Sequence, residues 1–374
     1  MRATMLLLSL AIAALLVLLQ PAVSFPAEGA PGPGVSGRNS EITIVTDEAD
    51  AALAILDRVR AGRAVRDEDW RRLGESEGYR RLRKREESMG RRFSDSVFAA
   101  FLLADSTVAR AEALARTVAA WKKADLTAAG GRALAYLPAG ARIRAKVYLT
   151  IKPWTNSFVF ETATDPAIFL YVDPKVSAAK FENTVAHELH HIGDAGACTA
   201  DEDTTLAPEA RTARMWTSAF GEGVAMLAAA GGPDVHPHAV SDSVERAQWD
   251  RSMERFEKDI REVEAFFLDV LEHRVSDPDS VRSRAMKFFG VQGPWYTVGY
   301  RMAVTVERAR GRDALLSVLC DPPKLLEAYN AAMSGTGWIS SPTGVPPADL
   351  VKPLLWSERL LQLLSGKPFT TSPR

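Results

Sequence analysis

The chain has 374 residues, 47% of them hydrophobic and 25% charged, a composition that excludes a disordered tail, a collagen-like fibre and a small disulfide scaffold. Its 46 Lys and Arg nearly cancel its 47 Asp and Glu. The chain as a whole therefore has no electrostatic pull toward nucleic acid or an anionic membrane.

The N-terminus opens with Arg2 and an apolar run, Met5 to Leu19, followed by Pro21 and the small residues Ala22-Val23-Ser24. The run is shorter than the roughly 20 residues of a spanning helix, so residues 1–24 read as a signal peptide cleaved after Ser24. The mature chain is then exported, periplasmic or extracellular, and free of the membrane. The alternative is an uncleaved N-terminal anchor. Export places Cys198 and Cys320 where a disulfide can persist, and the sequence leaves open whether they pair.

Residues 25–45 are rich in Pro, Gly and Ala at their start and read as a flexible linker. Residues 46–140 read as a helical N-terminal region, with Ala52, Ile55, Leu56 and Val59, then Val97, Phe101, Val108, Ala111, Leu114, Val118 and Trp121, at helical spacing. Between Arg58 and Arg92 basic residues are dense, but acids alternate with them, as on the wet faces of short amphipathic helices.

From residue 141 the period becomes strand-like. Ile143, Ala145, Val147, Leu149 and Ile151 alternate with polar or exposed positions, and Ser157 to Phe160 and Ala167 to Val172 form two further runs. The edge of this last strand is expected to receive an extended peptide. Everything later reads as helical, including one long amphipathic helix carrying Trp249, Met253, Phe256, Ile260, Val263, Phe267 and Val270. The class is α+β and mainly helical, with one small sheet: residues 141–374 form one region, in which 141–230 hold the sheet and the helix that follows it and 231–374 the helical remainder.

The chemistry concentrates in His187-Glu188-Leu189-His190-His191. On a helix, positions i and i+4 share a face, so His187 and His191 can aim at one Zn²⁺ while Glu188 stands beside them to take a proton from an attacking water. Asp173-Pro174 reads as the start of this helix and Gly193 as its stop, and Phe181, Val185, Leu189 and Ile192 mark a separate core face. His190 points elsewhere and reads as structural or supporting.

A catalytic zinc keeps one position open and needs a third protein ligand. A metzincin pattern would place Gly three and His six residues after His191, where the chain has Asp194 and Ala197. The gluzincin pattern needs a Glu on a following helix, and Glu222 in Phe220-Gly221-Glu222-Gly223-Val224-Ala225-Met226 supplies one. Gly221 and Gly223 are expected to let that helix close on the zinc helix. His236 and His238, which follow a Gly-Gly-Pro turn, compete as ligands but read as loop residues.

His187-Glu188-x-x-His191 with Glu222 resembles the gluzincin metallopeptidases. The strings Phe181 to His191, Ala219 to Leu227 and Gly293 to Tyr300 look like an uncharacterised bacterial family of zinc-dependent peptidases, over roughly residues 140–330. The resemblance implies a zincin-like fold with its sheet beside the zinc helix, bound Zn²⁺, a peptide or protein substrate, and a Tyr that hydrogen-bonds the developing oxyanion. Tyr296 ranks before Tyr300 for that role. Many gluzincins carry an Asp four residues after the ligand Glu, whereas this chain has Met226, so Asp194 is the candidate to orient a zinc histidine.

The expectation is an exported, zinc-dependent peptidase with Glu188 as general base. Two other readings are a non-catalytic zinc-containing protein that binds a partner through residues 47–137, and a surface-binding module acting through residues 58–92. Oligomeric state is not legible.

Overall fold

The computed structural model describes residues 39–90, 93–198, 203–335 and 353–366. The expected signal peptide, residues 1–24, and the linker up to residue 38 lie outside the described residues. No described helix is long and apolar enough to cross a membrane.

In chain order the elements are β1 (Ser40–Val45), α1 (Asp47–Arg60), α2 (Asp67–Glu75), α3 (Glu77–Ser88), α4 (Asp95–Leu103), α5 (Asp105–Val108), α6 (Ala111–Trp121) and α7 (Leu126–Leu134), followed by β2 (Ile143–Thr150), β3 (Phe158–Phe160), β4 (Ala167–Tyr171) and α8 (Ala178–Ala197). Then come α9 (Pro208–Thr217), α10 (Gly221–Ala230), α11 (Ser243–Glu254), α12 (Phe256–Leu271), α13 (Pro278–Lys287), α14 (Pro294–Arg310), α15 (Arg312–Leu316), α16 (Pro322–Gly335) and α17 (Glu358–Leu364). The described residues are mainly helical with one small mixed sheet, as the α+β class predicts.

The chain divides into two compact units: residues up to 131 with 142–192, and residues 132–141 with 193–374. This differs from the boundary expected at residue 140. The N-terminal helices share a unit with the sheet because they cover it, and a helical text says nothing about what its apolar faces cover.

In the first unit the sheet order is β1-β2-β4-β3, with β1, β2 and β4 parallel and β3 antiparallel to β4. Two expectations are corrected. Ser40–Val45, left within the linker by its sequence context, is a strand, paired in register from Ser40↔Ile143 to Val45↔Tyr148. Six residues whose partner is a hundred positions away carry little local signal. The second correction concerns β4, which lies between β2 and β3 and so has no open edge; the outer strands are β1 and β3.

The β2 alternation also fails after Lys146, where Val147, Tyr148, Leu149 and Thr150 are all buried. A strand covered on both faces reads as a continuous buried run. Tyr148 stacks on Phe169 with ring centroids 4.6 Å apart, and α1 buries Ala52, Ile55 and Leu56.

The basic stretch is only in part a solvated surface. Arg71 pairs with Glu75 on an exposed face, but Arg81 is buried and donates to Glu161 at 2.6 Å, Asp165 at 2.8 Å and the Tyr148 hydroxyl at 3.0 Å. Arg85 is buried as well, 2.6 Å from Glu86 and over the Phe158 ring. These guanidinium groups join α3 to the sheet and its β3–β4 connection, which removes them from any polyanion-binding surface.

In the second unit α14 is a central helix, burying Trp295, Val298, Met302, Ala303 and Val306. Phe220 meets Trp295 edge-on at 5.1 Å, and the Trp356 indole contacts the Met302 sulfur at 3.1 Å. Cys198 and Cys320 form a disulfide with Cα atoms 4.9 Å apart. The long helix expected over residues 249–270 is two, α11 and α12, broken at Arg255 (φ −89°, ψ 5°). The apolar stripe runs through the break without a Gly or Pro to mark it.

Candidate metal centre

The helix α8 carries the histidine pair. Its start is not Asp173-Pro174, where the Asp173 carboxylate accepts from the Lys175 amide in a local turn, but Ser177, whose hydroxyl accepts from the Lys180 amide at 3.1 Å. Nor does it stop at Gly193; it runs on to Ala197. The expected core face holds: Phe181, Val185, Leu189 and Ile192 are all at least 96% buried. Phe181 stacks on Trp121 at 4.5 Å. Burial of this face fixes the helix's rotation about its own axis, and with it the direction of the opposite face.

His187, Glu188 and His191 are half-buried. The two imidazoles face one another, Nε2 to Nε2 at 3.1 Å, with ring planes at 79°. Two nitrogens held tetrahedrally by zinc, each at roughly 2.0–2.1 Å, stand about 3.3 Å apart, so the pair is within a few tenths of an ångström of a bidentate zinc clamp before any rearrangement. Imidazole nitrogens are also suitable zinc donors, and the donor set fits the metal. His190 is buried, its ring 6.3 Å from that of His191, consistent with a supporting place.

Glu222 lies in the first turn of α10 and is 97% buried. A buried carboxylate needs a hydrogen-bonding or positive partner or a metal. The role expected of the adjacent glycines is corrected. A Cβ on Gly223 would stand 1.9 Å from the Tyr300 amide nitrogen, and one on Gly299 would stand 2.4 Å from the Phe220 carbonyl oxygen. These two glycines let α10 and α14 cross at backbone contact, while a Cβ on Gly221 would meet nothing within 4 Å.

The competing histidines are otherwise engaged. His236 accepts from the His238 amide through Nδ1 at 3.0 Å, and its Nε2 is 2.9 Å from Asp250. His238 Nδ1 is 2.9 Å from the Ser241 hydroxyl. Both lie in the loop between α10 and α11.

Tyr296 and Tyr300 are one turn apart on α14, which starts at Pro294. Tyr296 is half-buried and meets the Phe289 ring. Tyr300 is 8% exposed and edge-on to Trp249 at 5.3 Å. Burial pushes the Tyr300 hydroxyl above the ordinary tyrosine range, which keeps it a hydrogen-bond donor. Asp194 lies on α8 beyond the histidines, and its Oδ1 is 3.3 Å from the Cys198 sulfur.

Residues 70–335, more than two thirds of the chain, match the model of a family described as "Putative zinc dependent peptidase (DUF5700)". The match begins far ahead of the span that the motifs alone suggested and takes in the N-terminal helices from α2 onward. No curated protein and no solved structure shows a significant match.

Proposed function

The chain belongs to this family of zinc-dependent peptidases, and on that premise we propose a gluzincin-type peptidase, exported from the cell, in which His187, His191 and Glu222 hold Zn²⁺ and Glu188 is the general base. The observation that carries the reading is the pair of imidazole nitrogens facing each other at 3.1 Å on a helix whose opposite face is core. In support of the third ligand, Glu222 is a carboxylate buried in the first turn of α10. The zincin-like arrangement is supported by the presence of the sheet and the histidine pair in one unit. Export is supported by the apolar N-terminal run and by the Cys198–Cys320 disulfide, which persists in oxidising compartments.

When bound, Zn²⁺ supplies Lewis-acid chemistry, polarising a carbonyl and acidifying water. Glu188 takes a proton from the attacking water and delivers it to the leaving amine, so that one carboxylate serves both halves of the hydrolysis. Tyr296, or Tyr300 in its place, donates a hydrogen bond to the oxyanion as negative charge builds on it. Glu188 also separates this reading from a zinc-containing binding protein, since a purely structural zinc site makes no use of a base between its ligands.

The test is Glu188→Gln, which preserves size and hydrogen-bonding reach but cannot act as a base. It should retain zinc and the thermal unfolding of the wild type, and lose at least about 100-fold in the hydrolysis of a peptide library. A zinc-loaded wild type that cleaves nothing, or a mutant that cleaves as fast, would put the binding-protein reading in its place.

A further inference from the structure

Beyond Ile192 the helix α8 runs on through Gly193-Asp194-Ala195-Gly196-Ala197 to Cys198. By sequence this is a poor place for a helix to continue. Glycine is the weakest helix former after proline, no basic residue in the last turn complements the helix dipole, and no residue from Asp194 to Cys198 is buried. Helices in proteins draw most of their stability from a packed apolar face, and here that face ends with Ile192 and Gly193. The backbone is helical nevertheless, and the Cys198 amide donates to the Asp194 carbonyl at 2.8 Å.

This turn does have a covalent tether. Cys198 is bonded to Cys320, whose own position is fixed: the Asp321 amide donates to the Val318 carbonyl at 3.1 Å, and the Asp321 carboxylate accepts from Arg214 of α9 at 3.2 Å. The Asp194 carboxylate, the candidate for orienting a zinc histidine, has Oδ1 3.3 Å from the Cys198 sulfur. In an α-helix the Ala195 amide closes its ring on the His191 carbonyl, so the turn that the disulfide pins is the one that holds the backbone of His191. Cys320 is exposed and Cys198 half-buried. A reagent in solution can therefore reach the bond at Cys320, and exposed disulfides are the ones that exchange with thiols.

We propose that the Cys198–Cys320 disulfide is a redox switch on the zinc affinity of the histidine pair; this rests on the reading of His191 as a zinc ligand. The reductant is a dithiol, which supplies two electrons and two protons. One thiolate attacks the Cys320 sulfur, the Cys198 sulfur leaves and takes up a proton, and the second thiol of the reagent releases Cys320 as a thiol while the reagent closes to its own disulfide. Without the tether the turn from Gly193 to Cys198 frays. The backbone of His191 loses the turn that holds it, and the imidazoles that face each other at 3.1 Å are no longer fixed in that geometry. The oxidised protein keeps its metal and the reduced protein gives it up more readily.

The experiment measures zinc affinity of the full chain by competition with a chromophoric chelator, with hydrogen exchange at the amides of residues 195–198 alongside. It compares oxidised wild type, wild type reduced by a phosphine with its thiols counted, Cys198→Ser/Cys320→Ser, and that double variant with Gly196→Ala added, where a Cβ meets open space. Reduced wild type and the double variant should bind zinc about tenfold more weakly than the oxidised protein, and exchange those amides at least about tenfold faster. The double variant has no thiol that could bind zinc itself, and reduced wild type serves in its place if it does not fold. Gly196→Ala strengthens the turn by helix propensity and should recover part of both losses. Equal zinc affinity with and without the disulfide would overturn the proposal, as would weaker zinc binding with unchanged exchange at residues 195–198. Oxidised wild type that binds no zinc, or His191→Ala with undiminished affinity, would overturn the zinc reading and the switch with it, a failure that shows before any bond is reduced.

Discussion

Glu48 shows what one side chain contributes to the behaviour of the fold. It is 1% exposed, and one carboxylate oxygen accepts the Ile151 amide at 2.9 Å. Burial pushes its pKa from 4.5 up to about 8, helped by the nearby Asp47 charge and opposed by the Ile151 amide and Lys152. Between those two values the folded protein holds a proton that the unfolded chain has released, so stability falls as pH rises through that window and the loss is complete above it. Glu48→Gln, neutral throughout, should remove this slope and raise Tm at pH values above about 8, by an amount on the order of a few kcal/mol in stability. Thermal unfolding across pH checks it; an identical slope in the mutant would refute the assignment. Residue by residue, the facing of His187 and His191 on one side of α8 was legible because an i,i+4 spacing on a helix dictates it. The buried Glu48 was not, because its burial is imposed by distant parts of the chain.

At the scale of elements, the crossing of α10 and α14 is the most demanding contact near the candidate ligand Glu222. Gly223→Ala would drive a methyl group into the α14 backbone, 1.9 Å from the Tyr300 nitrogen, and overpacking against backbone that cannot yield should cost about 3 kcal/mol or more. Gly221→Ala meets open space and should stabilise by up to about 1 kcal/mol through helix propensity. Denaturant unfolding of the two single variants reads the contrast, and equal effects would disprove the crossing. The glycines advertised a close approach in the sequence, but its partner was misassigned to the histidine-bearing α8, because sequence marks the groove and not what enters it. Helix ends were similarly half-legible. The Asp173-Pro174 signal made a turn while Ser177 made the cap, and the break at Arg255 carried no signal because one irregular residue barely disturbs a 3.6-residue period.

For the whole molecule, the Cys198–Cys320 disulfide spans 122 residues of sequence and closes a loop that contains α9 to α15. By loop-closure entropy such a link stabilises by about 3–5 kcal/mol. Reductant should therefore lower the Tm of the wild type markedly, and a Cys198→Ser/Cys320→Ser variant should start low and not respond. An unshifted Tm under reducing conditions, with free thiols verified, would show that the disulfide contributes little. Composition, the apolar periodicities and one short motif were enough for the α+β class, the three later strands and the helix that carries the histidine pair, because each of these depends on neighbours within a turn or two of chain. Pairing of the cysteines, the strand at Ser40–Val45, the insertion of β4 between β2 and β3, and the burial of Arg81 and Glu48 were settled only by tertiary structure. Each is a contact between segments tens to hundreds of residues apart, and a one-dimensional pattern records which faces must be covered without recording what covers them.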